Sequence, residues 1–246
     1  MEKIQESEYR FPYHQTVDLN GRKLYYMWDG ALSYYCRYKL IVNYLNKPGL
    51  KKIIEIGCGD GVITSNLACH FEEYSFVGLD YSSRAIDYAK AYSETITNLD
   101  FEEFDILQMG VYSNENDVLI LTEVLEHIPV DRLSTFISNS VGHVRPDGRI
   151  VVTVPSDHKP LEEKHFQHFS KEKLATLFSS SCIVEEIFEI APRSSILSKL
   201  LRMLLMNRYY MLKPNTIIYE WLLSKYFRNF SRTNNGNGVF AVFRKR

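Results

Sequence analysis

Glu123, Glu126 and His127 stand together in the run TEVLEHI, and His158, His165 and His168 crowd the segment PSDHKPLEEKHFQHFS. Carboxylates and imidazoles are the side chains that move protons near neutral pH, so each cluster is a candidate for general acid–base work. Three histidines in one short segment are more than a connecting loop needs. One of His127, His165 and His168 can take the proton of a hydroxyl that is being alkylated. The bland alternative has Glu126 and His127 closing the start of a helix while the later histidines bond loop backbone. Both stay open at this level.

A second constellation lies upstream in IIEIGCGDGVITSNLA. An apolar run ends at Glu55-Ile56, and Gly57, Cys58, Gly59, Asp60 and Gly61 follow before a helix-like stretch. Gly57 and Gly59 let a backbone approach a ligand closely, and Gly61 permits a tight helix start. Asp80 follows about twenty residues after the loop, where a carboxylate accepts hydrogen bonds from both hydroxyls of a ribose. Asp105-Ile106 pairs an acid with an apolar residue, suited to the amino group and ring of an adenine. Glu55 has no place in the usual dinucleotide fingerprint: an acid there repels a pyrophosphate and suits a cation.

These residues need a frame, and the chain supplies one. Residues 1–35, rich in Tyr and His, predict an irregular cap that leads into a helix near 31–46, ended by Lys47-Pro48-Gly49. KKIIEIG reads as a strand, GVITSNLACHF as a helix, SFVGLDY as a strand and SSRAIDYAKAYSE as a helix opened by Ser82-Ser83. DFEEFDI and DVLILTEV are strands, 131–143 a helix, Pro146-Asp147-Gly148 a turn and RIVVTVP a strand. KEKLATLFSS is a helix, CIVEEIFEI a strand and GVFAVFRKR a final strand. Continuous apolar strands alternating with helices predict an α/β, doubly wound, mostly parallel sheet covered on both faces. Before the final strand, SSILSKLLRMLLMNRYYML and NTIIYEWLLSKYFRNF predict two amphipathic helices.

Composition narrows the class further. The 246 residues have 45% hydrophobic and 24% charged content, ordinary for a globular protein. Four cysteines without C-x-x-C spacing argue against a disulfide framework and a zinc knuckle. With no signal-like N-terminus or long apolar run, they point to a cytoplasmic protein. The net charge of −1 conceals an asymmetry: the stretch 191–246 carries eleven Lys and Arg against one acid, Glu220. A basic tail on an acidic body suits an anionic partner, or docking on the body itself.

The ordered motifs E-I-G-C-G-D-G, G-L-D-Y-S, F-D-I, T-E-V-L-E-H-I and R-P-D-G-R-I-V-V-T-V-P resemble those of class I S-adenosylmethionine-dependent methyltransferases, over roughly residues 50–190. The resemblance implies a Rossmann-like, seven-stranded sheet whose last strand is antiparallel. It divides one domain, 1–246, into a cap (1–48), a cofactor-binding core (49–191), a helical insertion (192–237) and the last strand (238–246). It places Glu55, Gly57, Cys58, Gly59 and Gly61 at the methionine part of S-adenosylmethionine, with S-adenosylhomocysteine as product. Asp80 takes the ribose, Tyr81 flanks the adenine, Asp105 and Ile106 hold the base, and Glu123 lies beside the transferred methyl.

The Glu-x-x-Glu-His run with a later histidine is also similar to the metal site of small-RNA 3′-end 2′-O-methyltransferases. That likeness implies a divalent metal held by Glu123, Glu126 and His127 with His165 or His168, and an RNA acceptor. The chain is looser in its similarity to methyltransferases of surface-polysaccharide assembly. The expected acceptor is therefore the hydroxyl of a small molecule or saccharide, anionic in view of the basic insertion. Tyr9, Phe11, Tyr13 and His14 would form an aromatic wall for it. The insertion over 192–232 also suits a membrane surface or a second copy of the chain. A cofactor-binding or scaffolding protein without activity is the alternative outside enzymes.

Overall fold

The computed structural model describes residues 28–109, 114–192, 233 and 236–246. Tyr9, Phe11, Tyr13, His14 and the 193–232 part of the insertion lie outside the described residues. Six helices are described: α1 (Trp28–Leu45), α2 (Val62–His70), α3 (Ser83–Tyr92), α4 (Ile106–Met109), α5 (Leu133–Gly142) and α6 (Lys171–Phe178). Seven strands make one sheet: β1 (Lys52–Ile56), β2 (Ser75–Asp80), β3 (Leu99–Glu103), β4 (Asn116–Thr122), β5 (Val144–Pro155), β6 (Cys182–Pro192) and β7 (Gly236–Lys245).

The sheet order is β3-β2-β1-β4-β5-β7-β6. The pairs from β3 through β5 are parallel, while β7 runs antiparallel to both β5 and β6. The apolar runs are continuous because successive side chains enter opposite cores, both of them buried. Ile53, Val118, Ile120, Val151, Phe240 and Val242 pack on one face with α1 and α2 residues such as Ile41, Leu45 and Leu67. Their neighbours Ile54, Leu119, Leu121, Val152, Ala241 and Phe243 pack on the other with Phe136, Ile137, Leu174 and Phe178 of α5 and α6. This is the α/β fold expected from the sequence, with its antiparallel last strand.

Three local expectations shift. The first helix already runs at Trp28. β3 stops at Glu103, so Asp105 lies in a loop and Ile106 opens α4. Pro146-Asp147-Gly148 is not a turn before a strand but part of a bulge within β5. Val144 pairs with Asn116 and regular pairing resumes at Arg149 with Val118. The bulge lets Asp147 take a positive φ of 61° and meet Arg244 at 2.7 Å. Among the described residues no helix is long and apolar enough to cross a membrane.

Strand order reverses between β1 and β4. The crevice at their carboxyl ends is where an open α/β sheet receives ligands.

Candidate active site

The glycine loop leaves β1 at that crevice. Gly57, Gly59 and Gly61 all take positive φ, at 74°, 55° and 73°. The Gly57 and Cys58 amides donate to the Leu79 carbonyl at 2.7 and 3.1 Å. The Gly59 amide donates to Asp80 Oδ2 at 2.9 Å, and the Ser82 amide donates to Asp80 Oδ1 at 3.0 Å. Ser82 in turn caps α3, its side chain accepting the Ala85 amide. One buried carboxylate therefore fixes the loop and the start of α3 together. Tyr81 beside it is exposed, Ile106 is buried, and Asp105 Oδ1 accepts the Leu107 amide at 2.8 Å.

The sequence assigns Gly57 to ligand approach, and the structure adds a packing reason. A Cβ on Gly57 would lie 2.4 Å from Val124 Cγ2, and one on Gly61 would lie 2.5 Å from Phe101 Cζ. Besides their positive φ, both positions leave no room for a Cβ: the loop after β4 is pressed on Gly57, and Phe101 of β3 on Gly61.

Glu55 is buried within β1, and its Oε2 accepts the Thr64 hydroxyl of α2 at 2.5 Å. Burial pushes its carboxyl up to about 7, the Thr64 bond opposing and the charges of Asp60 and Asp80 adding to the rise. Thr64 is a partner that sequence reasoning missed. The signal was available: Thr64, Ser65 and Asn66 form a polar run in an otherwise apolar, buried helix.

Glu123 follows β4 with a positive φ of 53° and its amide bonded to the Thr153 carbonyl at 2.9 Å. That conformation, uncommon for a residue with a Cβ, turns the chain sharply out of the sheet. Its Oε2 accepts from Arg37 Nη2 of α1 at 2.8 Å. Arg37, 86 residues away, is the second site residue that sequence reasoning missed. In the helix run CRYKLIVNYL it is marked only as one of two charges, beside Lys39.

Beyond Glu123 a single 3₁₀ turn, Leu125–His127, presents Glu126 and His127. The loop after β5 docks on it, the Phe166 amide donating to the Glu126 carbonyl at 2.8 Å. His127, His165 and His168 are thereby brought together, with ring centroids 4.8 Å apart for the first pair and 5.0 Å for the second. His165 Nδ1 lies 2.8 Å from His168 Nε2, and His168 Nδ1 lies 3.0 Å from the Lys159 carbonyl. His127 Nδ1 faces the Lys164 carbonyl at 3.2 Å. His158 stands apart from them, 3.6 Å from Glu189.

Burial, then the neighbouring His127, drops His165 to about 4, so its ring is neutral at pH 7. The expected base is one of His127, His165 and His168, and burial holds His165 below the near-neutral range that suits such a role. Glu126 is fully buried, and burial followed by the charge of Glu123 pushes its carboxyl well above the usual range.

Residues 48–210 match the family described as a methyltransferase domain. The chain belongs to that family. Its methyltransferase domain is similar to the trans-aconitate 2-methyltransferase of Deinococcus radiodurans, at 32% identity over 107 residues, covering 44% of this chain and 39% of that protein. It is also similar to the ubiquinone biosynthesis O-methyltransferase of Rickettsia felis, at 28% identity over 114 residues, 46% of this chain and 45% of that protein. Each match thus spans less than half the length of the curated relative. In fold the domain resembles the N-methyltransferase NodS from Bradyrhizobium japonicum WM9, solved in complex with S-adenosyl-l-homocysteine. There the TM-score is 0.64 at 18% identity, over 99% of this chain and 97% of that one.

Proposed function

We propose that the protein transfers the methyl group of S-adenosylmethionine to a hydroxyl of a small molecule or saccharide. The observation that carries this reading is the buried carboxylate of Asp80 at the crevice, which accepts the Gly59 amide in the neighbourhood of the buried acid Glu55. Burial, with the charges of Asp60 and Asp80, makes an ionised Glu55 costly, and a sulfonium donor with an ammonium group supplies the positive charge that offsets it. Asp80 then receives the ribose, Tyr81 and Ile106 flank the adenine, and Asp105 receives its amino group. The trans-aconitate and ubiquinone relatives, both methyltransferases by name, support the donor.

The acceptor oxygen attacks the methyl carbon in line, the carbon–sulfur bond breaks, and its electron pair passes to sulfur, giving S-adenosylhomocysteine. The acceptor's hydroxyl proton passes to solvent water beside the cluster of Glu126, His127 and His165. Alignment provides most of the acceleration. Two imidazoles and a carboxylate, on the turn after β4 and the loop after β5, support an oxygen acceptor, because an amine needs less help in losing its proton.

Incubating fractionated cell extract with methyl-labelled donor and the protein should label a small-molecule or saccharide fraction; label confined to RNA would overturn that acceptor class. Asp80→Ala should lose donor affinity in calorimetry, and unchanged affinity would remove the basis for the whole reading.

A further inference from the structure

We propose that Glu126, His127 and His165 form a binding site for one first-row divalent cation. One ligand atom from each of the three lies within 4.8 Å of the other two. Two imidazoles and a carboxylate suit zinc, cobalt or manganese. Three protein ligands with a vacant position are the pattern of a metal that takes an exchangeable oxygen.

The hydrogen bonds behind the ligands favour the same reading. A carbonyl only accepts, so His127 Nδ1 carries the hydrogen given to Lys164 and its lone pair sits on Nε2. By the same logic His168 Nδ1 donates to Lys159, leaving His168 Nε2 to accept from His165 Nδ1. The lone pair of His165 is then on Nε2 as well. Metal-bound histidines have this arrangement, with the far nitrogen donating to a carbonyl or a fixed acceptor that sets the tautomer. Both props come from the one segment 159–168. The third ligand is a fully buried carboxyl whose Oε2 has no hydrogen-bond partner among the described residues. A bound cation would satisfy it.

The geometry also narrows the ligand set suggested by the sequence. Glu123 is turned to Arg37, and His168 is spent on His165 and Lys159, so neither is a direct ligand. His168 is a positioning residue. The cation would draw the acceptor oxygen into the vacant position and weaken its O–H bond. That role rests on the methyl-transfer reading; the site itself does not.

The test strips the full chain with a chelator and titrates it with Co(II), followed by visible absorption and calorimetry, then with Zn(II) in competition. S-adenosylhomocysteine affinity is measured on the same samples. One equivalent of Co(II) per chain is expected. Glu126→Gln and His165→Ala should abolish it, His168→Ala should weaken it about 10–100-fold, and Glu123→Gln should leave it unchanged. No stoichiometric binding by the wild type, or equal binding by Glu126→Gln and His165→Ala, overturns the site. Should those variants lose the product affinity that reports folding, nitrogen couplings in pulsed magnetic resonance of Mn(II) on the wild type decide. Two imidazole nitrogens support the site and none overturns it. Metal binding without product affinity would instead leave the site standing and sink the methyl-transfer reading.

Discussion

At the scale of single residues, the site is a collection of acids in places where acids are costly. Glu55 carries the clearest consequence. Its folded pKa of about 7 lies above the ordinary carboxyl value of 4.5. The folded state therefore binds the proton more tightly, and stability is highest below pH 4.5 and falls as pH rises through about 7. A difference of that size costs about 3 kcal/mol once the group is ionised in the folded chain. A cationic donor reverses the balance, since it favours the ionised form. Donor affinity should therefore tighten as pH rises through about 7, and Glu55→Gln should flatten the profile while raising the stability of the donor-free protein at pH 8. Calorimetry and urea unfolding across that range check both, and a flat wild-type profile would separate Glu55 from the donor.

At the scale of elements, the strands are aligned by polar staples at their ends as well as by apolar area. Asp117 at the start of β4 accepts the Lys51 and Lys52 amides at 2.7 and 2.9 Å, and Arg145 of the β5 bulge at 2.7 Å. One side chain thus ties β1, β4 and β5. Burial alone would raise its carboxyl, but the Lys52 amide, Arg145 and the Lys51 amide together hold it below the usual value of 3.8. Its contribution is complete above pH 3.8 and is lost as pH falls through the depressed folded value. Asp117→Ala strands two backbone donors and should cost about 2–4 kcal/mol in urea unfolding at pH 7. The gap between variant and wild type should close in acid.

At the scale of the whole molecule, β7 closes the sheet from the far end of the chain, between β5 and β6. Phe243 of β7 stacks on Phe178 of α6 with centroids 4.3 Å apart and planes 13° from parallel, both rings buried. Phe243→Ala should cost about 3–5 kcal/mol and lower the melting temperature, with donor affinity at low temperature unchanged because the cavity opens away from the crevice. A variant that lost donor affinity while keeping its stability would show that the two ends of the sheet are linked otherwise.

The sequence by itself determined the order of strands and helices and the glycine loop that leaves β1. Both are written in local terms: apolar runs of strand length, the three glycines that permit positive φ, and acids at the ends of successive strands. The tertiary structure decided what local pattern cannot carry. Glu126 and His127 meet His165 only because the loop after β5 docks on the turn after β4 through the Phe166 amide. The division of labour among the histidines depends on which carbonyl each nitrogen reaches, Lys164 for His127 and Lys159 for His168. Arg37 reaches Glu123 from a helix on the other side of the chain's first strand. Contacts of that range are fixed by packing, and no spacing within the chain foretells them.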